Sequence, residues 1–317
     1  MIVLYLLLFV IASYALVRSG VVLVRVLTMM SAYFRLTEYV FAFILMTFVT
    51  VLPELVVGIA AGIKGVPVIS LGNVIGSNIL KLTFILGFVA IIAKGLNVES
   101  RIVKKDAWIV FFIALLPFLL LFDKQISRSE GVLLIIVFGW YIYHILRSKD
   151  AFRKRLDHMK KDLEGFKKLL KNIFYFIIAS AVLLLSSWLV IESAKLIAKE
   201  LYVPLILIGI ILVALGTSLP EMVFGIGAVI AKHEGLSLGN LIGSIVVNST
   251  FVLGLTAVIR PIRIENINIV YIGGIFMMIS IFIANIFTAT KNKISWKEGL
   301  FLIIFYIGFL VAEFLLK

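Results

Sequence analysis

Residues 50–87 and 217–254 align without a gap at a shift of 167, and about 20 of the 38 positions are identical. The first copy begins TVLPELVVGIAAGIKG and continues to SLGNVIGSNILKLTFILG; the second begins TSLPEMVFGIGAVIAK and continues to SLGNLIGSIVVNSTFVLG. Two unrelated apolar helices do not agree this well, so the chain carries an internal repeat. Hydrophobic residues make up 62% of the 317 and the mean hydropathy is +1.18. Soluble domains hold about 45–50%, so the sequence reads as an all-α integral membrane protein. Apolar runs of about 20 residues span a bilayer. They fall near 2–31, 38–63, 68–93, 107–122, 129–146, 172–191, 203–231, 236–258, 268–288 and 298–316. The polar segment 147–171 divides these ten runs into five and five. Five is odd, so the second copy must enter the bilayer upside down. The expected architecture is ten transmembrane helices as two inverted five-helix repeats, residues 1–146 and 172–317, joined by a basic linker at 147–171. Inverted repeats of this kind hold their substrate near the midplane, where the copies meet on broken helices.

The charge balance is strongly basic, 30 Lys and Arg against 17 Asp and Glu. That charge lies in loops between apolar spans, so it argues for no nucleic-acid partner. Counted by alternation, roughly 21 of the 30 basic residues fall on the face opposite the N-terminus, and about 8 on the other. The positive-inside rule then predicts a multi-pass protein of the cell membrane with a cytoplasmic 147–171 loop and both termini outside. The loop is a solvated linker or, alternatively, a surface for anionic lipid. The first run, Met1–Val17, has no basic residue before it and reads as a span rather than a signal peptide. The chain has no cysteine, which excludes disulfides and thiolate metal sites. His144, His158 and His233 lie in or beside loops, and neither an HExxH motif nor a nucleophile with a positioned base is present. An enzyme is therefore not expected, nor is a cofactor. A channel fits less well than alternating access, because no filter loop repeats.

Few ionisable side chains fall deep within the spans, and three stand out: Glu54, Lys81 and Glu221. A charge at mid-bilayer costs at least a few kcal/mol and needs a partner or a function. The two glutamates are repeat-equivalent, and each follows Leu-Pro. Pro53 and Pro220 have no N–H to donate, which frees the carbonyls of Val49 and Gly216. Carboxylate and carbonyl oxygens beside broken helix are ligands for a hard cation such as calcium or sodium. Ser77 and Ser244 either add hydroxyl oxygens or bond back to the preceding turn. Asn73 and Asn240 either donate to the glutamates or ligate a cation. Gly72, Gly76, Gly239 and Gly243 allow close helix approach.

The segments ALGTSLPE and SLGNLIGS, with TVLPE and SLGNVIGS in the first half, resemble the alpha repeats of the calcium/cation antiporters, in particular the sodium/calcium exchangers. The resemblance implies alternating-access exchange of calcium, or a related cation, for sodium and/or protons. It implies a calcium site of the Glu54 and Glu221 carboxylates and the Thr50 and Thr217 carbonyls. Flanking sodium sites would use Thr47, Thr50 and Ser77 in one half and Ala214, Thr217 and Ser244 in the other. The first and sixth spans would slide together across the remaining helices. Two departures stand out. The first copy has Val49 and Val51 where the family has Gly and Ser. Four residues after the GNxxGS serine, where the family carries Asn or Asp, this chain has Lys81 and Asn248.

Lys81 admits three roles. Snorkelling to the interface is out of reach, because Lys94 lies roughly 20 Å away along the helix. A static salt bridge to Glu54 or Glu221 would give a structural or transport-impaired centre. A built-in cation that replaces one bound ion would give partly proton-coupled or monovalent exchange. An ammonium a few ångströms from a divalent ion is strongly repelled at low dielectric.

Overall fold

The computed structural model describes residues 2–34, 47–97, 101–147, 163–200, 205–264, 267–291 and 293–315. Its helices, in chain order, are α1 (Ile2–Phe34), α2 (47–63), α3 (Val68–Ile92), α4 (Arg101–Leu120) and α5 (Arg128–Arg147). The second half supplies α6 (Leu163–Glu200), α7 (205–230), α8 (Glu234–Ile259), α9 (Ile267–Lys291) and α10 (Trp296–Leu315). Each expected span has a helix at its place. Residues 163–171 are helical, the first turns of α6, continuous with the apolar run they precede. Residues 148–162 lie outside the described residues.

Helices α2 and α7 are broken at matched positions. Thr47–Thr50 and Leu52–Ile63 meet at a turn on Val51, and Ala214–Thr217 and Leu219–Ile230 meet at Ser218. Proline occupies the second position of each outer segment, where its missing N–H costs least. Both outer segments also end alike. A left-handed residue, Gly65 (φ 77°) or Lys232 (φ 62°), follows the helix. The next N–H then reaches back, Val66 to Ala61 O and His233 to Ala228 O, each within 2.9 Å. This is a Schellman-type end, and the lysine adopts it without glycine's freedom.

Two short ladders show that the halves are inverted. Strand β1 (Leu96–Asn97) pairs with β4 (Lys293–Ile294), and β2 (Gln125–Ile126) pairs with β3 (Ile262–Arg263), both antiparallel. Helix α4 separates β1 from β2 and α9 separates β3 from β4, so the ladders lie on opposite faces. Strands β1 and β3 occupy equivalent places, after α3 and after α8, and they too lie on opposite faces.

Helices α3 and α8 are buried along most of their length and run through the main core cluster. Glycine makes this packing possible. A Cβ on Gly76 would fall 1.9 Å from the Ile210 carbonyl oxygen, and one on Gly72 would fall 2.5 Å from that of Ile206. Helix α3 therefore lies backbone to backbone against α7. The corresponding approach of Gly239 and Gly243 would be to residues near 39 and 43, outside the described residues. Helices α1 and α6 pack along one another as a separate pair, with α1 also against α7 and α6 also against α2. At about 1.5 Å per residue the 38 residues of α6 extend well beyond a hydrocarbon core of roughly 30 Å. Leu7, Phe112, Ile136 and Ile304 face outward, as lipid-facing side chains do.

Candidate cation site

The interruptions of α2 and α7 meet the GNxIGS stretches of α3 and α8 in the centre of the molecule. Around the first break Val51 N donates to Thr47 O and Leu55 N to Val51 O, both at 2.9 Å. Around the second, Ser218 N donates to Ala214 O at 3.0 Å and Met222 N to Ser218 O at 3.1 Å. The helical register continues through each break, except that Pro53 and Pro220 offer no N–H to the carbonyls of Val49 and Gly216. Glu54 and Glu221 lie in the first turn beyond the break, where the helix N-terminus favours negative charge.

Lys81 stands midway along α3 and is fully buried. Its Nζ donates to Glu54 Oε1 at 3.1 Å and lies 3.0 Å from Glu221 Oε1. All three side chains are closed to solvent. One ammonium thus bridges the two repeat-equivalent carboxylates, leaving a net charge of −1 when all three ionise. The side chain runs inward to the glutamates and not to the interface. Among the described residues no group of three acidic or histidine side chains is assembled that could hold a metal, so this centre has two carboxylates and no third. Glu54 Oε2 and both Glu221 oxygens make no hydrogen bond.

The threonines and asparagines cross between halves. Thr50 Oγ1 donates to Asn240 Oδ1 at 3.0 Å, and Thr217 Oγ1 donates to Asn73 Oδ1 at 3.1 Å. Each asparagine on one half's helix therefore fixes the broken helix of the other half. Of the two roles open to Asn73 and Asn240, donation to the glutamates is not seen: both Nδ2 groups are without a hydrogen-bond partner. Ser77 Oγ donates to Asn73 O at 2.6 Å and Ser244 Oγ to Leu241 O at 2.9 Å. Both hydroxyl protons thus bond back to the preceding turn, and only lone pairs face the centre. The carbonyls of Thr47 and Ala214 each accept the N–H four residues on and also face the Thr50 or Thr217 hydroxyl at 3.4 Å.

A second polar layer was not legible in the sequence. Asn248 Nδ2 lies 3.3 Å from both Ser77 Oγ and Asn78 Oδ1, and Asn78 Nδ2 donates to Ser249 Oγ at 3.0 Å. Asn78 and Ser249 are apolar in the opposite copy, Ile245 and Leu82, so comparing matched polar pairs passes over them. Their signal was a polar residue directly following each motif residue in an otherwise apolar helix. Local helix geometry also marks the site. Helix α3 widens into a π turn over Lys81–Ile85 and α8 over Asn248–Val252. Both turns start four residues after the GNxIGS serine, at Lys81 and at its repeat-equivalent Asn248. They are stitched by equivalent threonines, Thr83 Oγ1 to Ile79 O and Thr250 Oγ1 to Val246 O, both 2.5 Å. Such turns inside α-helices occur mainly at functional sites.

The family model described as sodium/calcium exchanger protein matches residues 4–147 and 171–315. The sodium/calcium exchanger MaX1 of Methanosarcina acetivorans is 28% identical over 316 residues, covering 88% of this chain and 89% of that one. The inner membrane protein YrbG of Escherichia coli is 27% identical over 240 residues, 74% of each. Among solved structures, the sodium-calcium exchanger NCX_Mj superposes with a TM-score of 0.77 at 24% identity, over 98% of this chain and 99% of that one. Its fold is likewise ten transmembrane helices in inverted repeats. With both halves matched and only the linker left out, the chain belongs to the sodium/calcium exchanger protein family, a family of membrane transporters.

Proposed function

We propose that this cation antiporter moves calcium, or a related cation, in exchange for sodium and/or protons, with Glu54, Lys81 and Glu221 as its transport centre. The family supports antiport, and the buried oxygens between the two broken helices support a hard cation as substrate. In this reading calcium takes the Glu54 and Glu221 carboxylates and the Thr50 and Thr217 carbonyls. Ser77 and Ser244, with Thr47, Ala214, Asn73, Asn240 and Asn248 around them, line the flanking positions. Sliding of the α1/α6 pair opens the centre to each side in turn. The repeats 1–146 and 172–317 act as the two inverted units, in the cell membrane, with termini outside and the 147–171 linker cytoplasmic.

The contacts of Lys81 with both carboxylates carry the finer part of the reading. A divalent ion cannot share those oxygens with an adjacent ammonium without strong repulsion. Lys81 is therefore a built-in cation: it neutralises the pair when the site holds no calcium, and it swings away or gives up its proton when calcium enters. Exchange is then partly proton-coupled and uses fewer sodium ions. The same contacts favour a second reading, a proton-coupled or monovalent exchanger or a transport-impaired relative whose centre the lysine locks. Thermal melts of the purified protein with calcium, strontium or sodium, followed by flux in proteoliposomes, separate the two. The antiporter reading expects cation-dependent stabilisation and flux, both lost in Glu54→Gln and Glu221→Gln. No stabilisation by any cation and no flux in the wild type would establish the locked relative.

A further inference from the structure

Away from the central site, a cavity of about 940 Å³ opens where the ends of α2 and α8 meet the starts of α3, α5, α7 and α9. Arg128, Arg260 and Arg263 line it, and among the described residues no acidic one does. All three are carried on or beside the β2/β3 ladder: Arg263 is in β3, opposite Gln125, Arg260 precedes it, and Arg128 opens α5 just after β2. The paired backbone holds three like charges together. Among the described residues none of them forms an ion pair. Two nearby carboxylates among the described residues are engaged locally, Asp123 with Gln125 and Glu130 with Ser127. The other copy keeps only part of the cluster, with Lys94 at the place of Arg260. In the other ladder Asn97 stands at the place of Arg263, and Trp296, the first residue of α10, at that of Arg128. Below the arginines the wall is apolar, with Val68, Ile206, Ile259 and Ile269. Arg128 and Arg147 are opposite ends of α5, so the cavity lies on the face away from the 147–171 linker.

We propose that this cavity binds the phosphate headgroup of an anionic lipid, with the guanidiniums on the phosphate and the start of an acyl chain on the apolar wall. Arginine suits the charge because its planar fork pairs with phosphate oxygens bidentately. The apolar wall selects a lipid over a soluble phosphate. The test is the melting temperature of the detergent-purified full chain with added phosphatidylglycerol, phosphatidylcholine or inorganic phosphate. It is repeated for the triple variant Arg128→Gln/Arg260→Gln/Arg263→Gln, and for Arg263→Gln alone should the triple variant misfold. The expected result is a rise of about 3 °C or more with phosphatidylglycerol only, lost in the triple variant and reduced in Arg263→Gln. Equal rises with phosphatidylcholine, an equal rise with inorganic phosphate alone, or an undiminished rise in both variants would overturn it.

Discussion

At the scale of single residues, the chain's chemistry turns on one ammonium between two carboxylates. Burying three charges is expensive, and a buried ion pair is strongly destabilised when one partner alone is removed, by about 3–5 kcal/mol. Lys81→Met leaves Glu54 and Glu221 facing each other without a counter-charge. Its melting temperature without divalent cations should drop by several degrees. Saturating calcium should recover it, with a larger calcium-induced rise than in the wild type. Calcium affinity should increase at least about tenfold, since like charges 4 Å apart repel by ~4 kcal/mol at an effective dielectric of 20 and tenfold needs only ~1.4 kcal/mol. A melt insensitive to calcium would show that the carboxylates alone do not form the cation site. The presence of Lys81 was legible because the second copy has Asn248 at the same place. Glu54 or Glu221 as its partner was legible too; that one ammonium bridges both was not, because the reach of a lysine on a π turn depends on how four helices cross.

At the scale of elements, the repeat sets the design and glycine sets its tolerances. Gly76→Ala puts a Cβ onto the Ile210 carbonyl, and backbone cannot yield as a side-chain tip can. Overpacking of this sort costs about 1–3 kcal/mol, so the variant should melt several degrees lower. Gly139→Ala on α5, where a Cβ meets nothing within 4 Å, should leave the melt nearly unchanged. The proline breaks, the matched glutamates and the close-packed glycines of α3 could all be read from two aligned segments, since each follows from a residue's own covalent limits. The π turns and the Asn78–Ser249 contact could not, since they come from packing between helices distant in sequence. The ladders were equally hidden: two-residue strands carry no periodicity to detect.

At the scale of the whole molecule, inversion is the organising fact, and it has a direct chemical test. The chain contains no cysteine, so single cysteines report cleanly. Asn97→Cys and Arg263→Cys lie in the two ladders. A membrane-impermeant thiol reagent applied to intact cells should label Arg263→Cys at once, and Asn97→Cys only after permeabilisation. Labelling of both from the same side would contradict the inverted arrangement. The reverse pattern would keep it and turn the proposed orientation over. Antiparallel halves also explain why the two glutamates, 167 residues apart in sequence, converge on one lysine: the pseudo-two-fold that relates the breaks brings their first turns face to face.

The most direct test of Lys81 as a built-in cation is calcium uptake into proteoliposomes under imposed sodium or proton gradients, for the wild type and Lys81→Asn. The account predicts that wild-type uptake responds to the proton gradient and to external pH. Lys81→Asn should lose that response and become driven by sodium. Identical pH dependence and sodium coupling in the two proteins would contradict it.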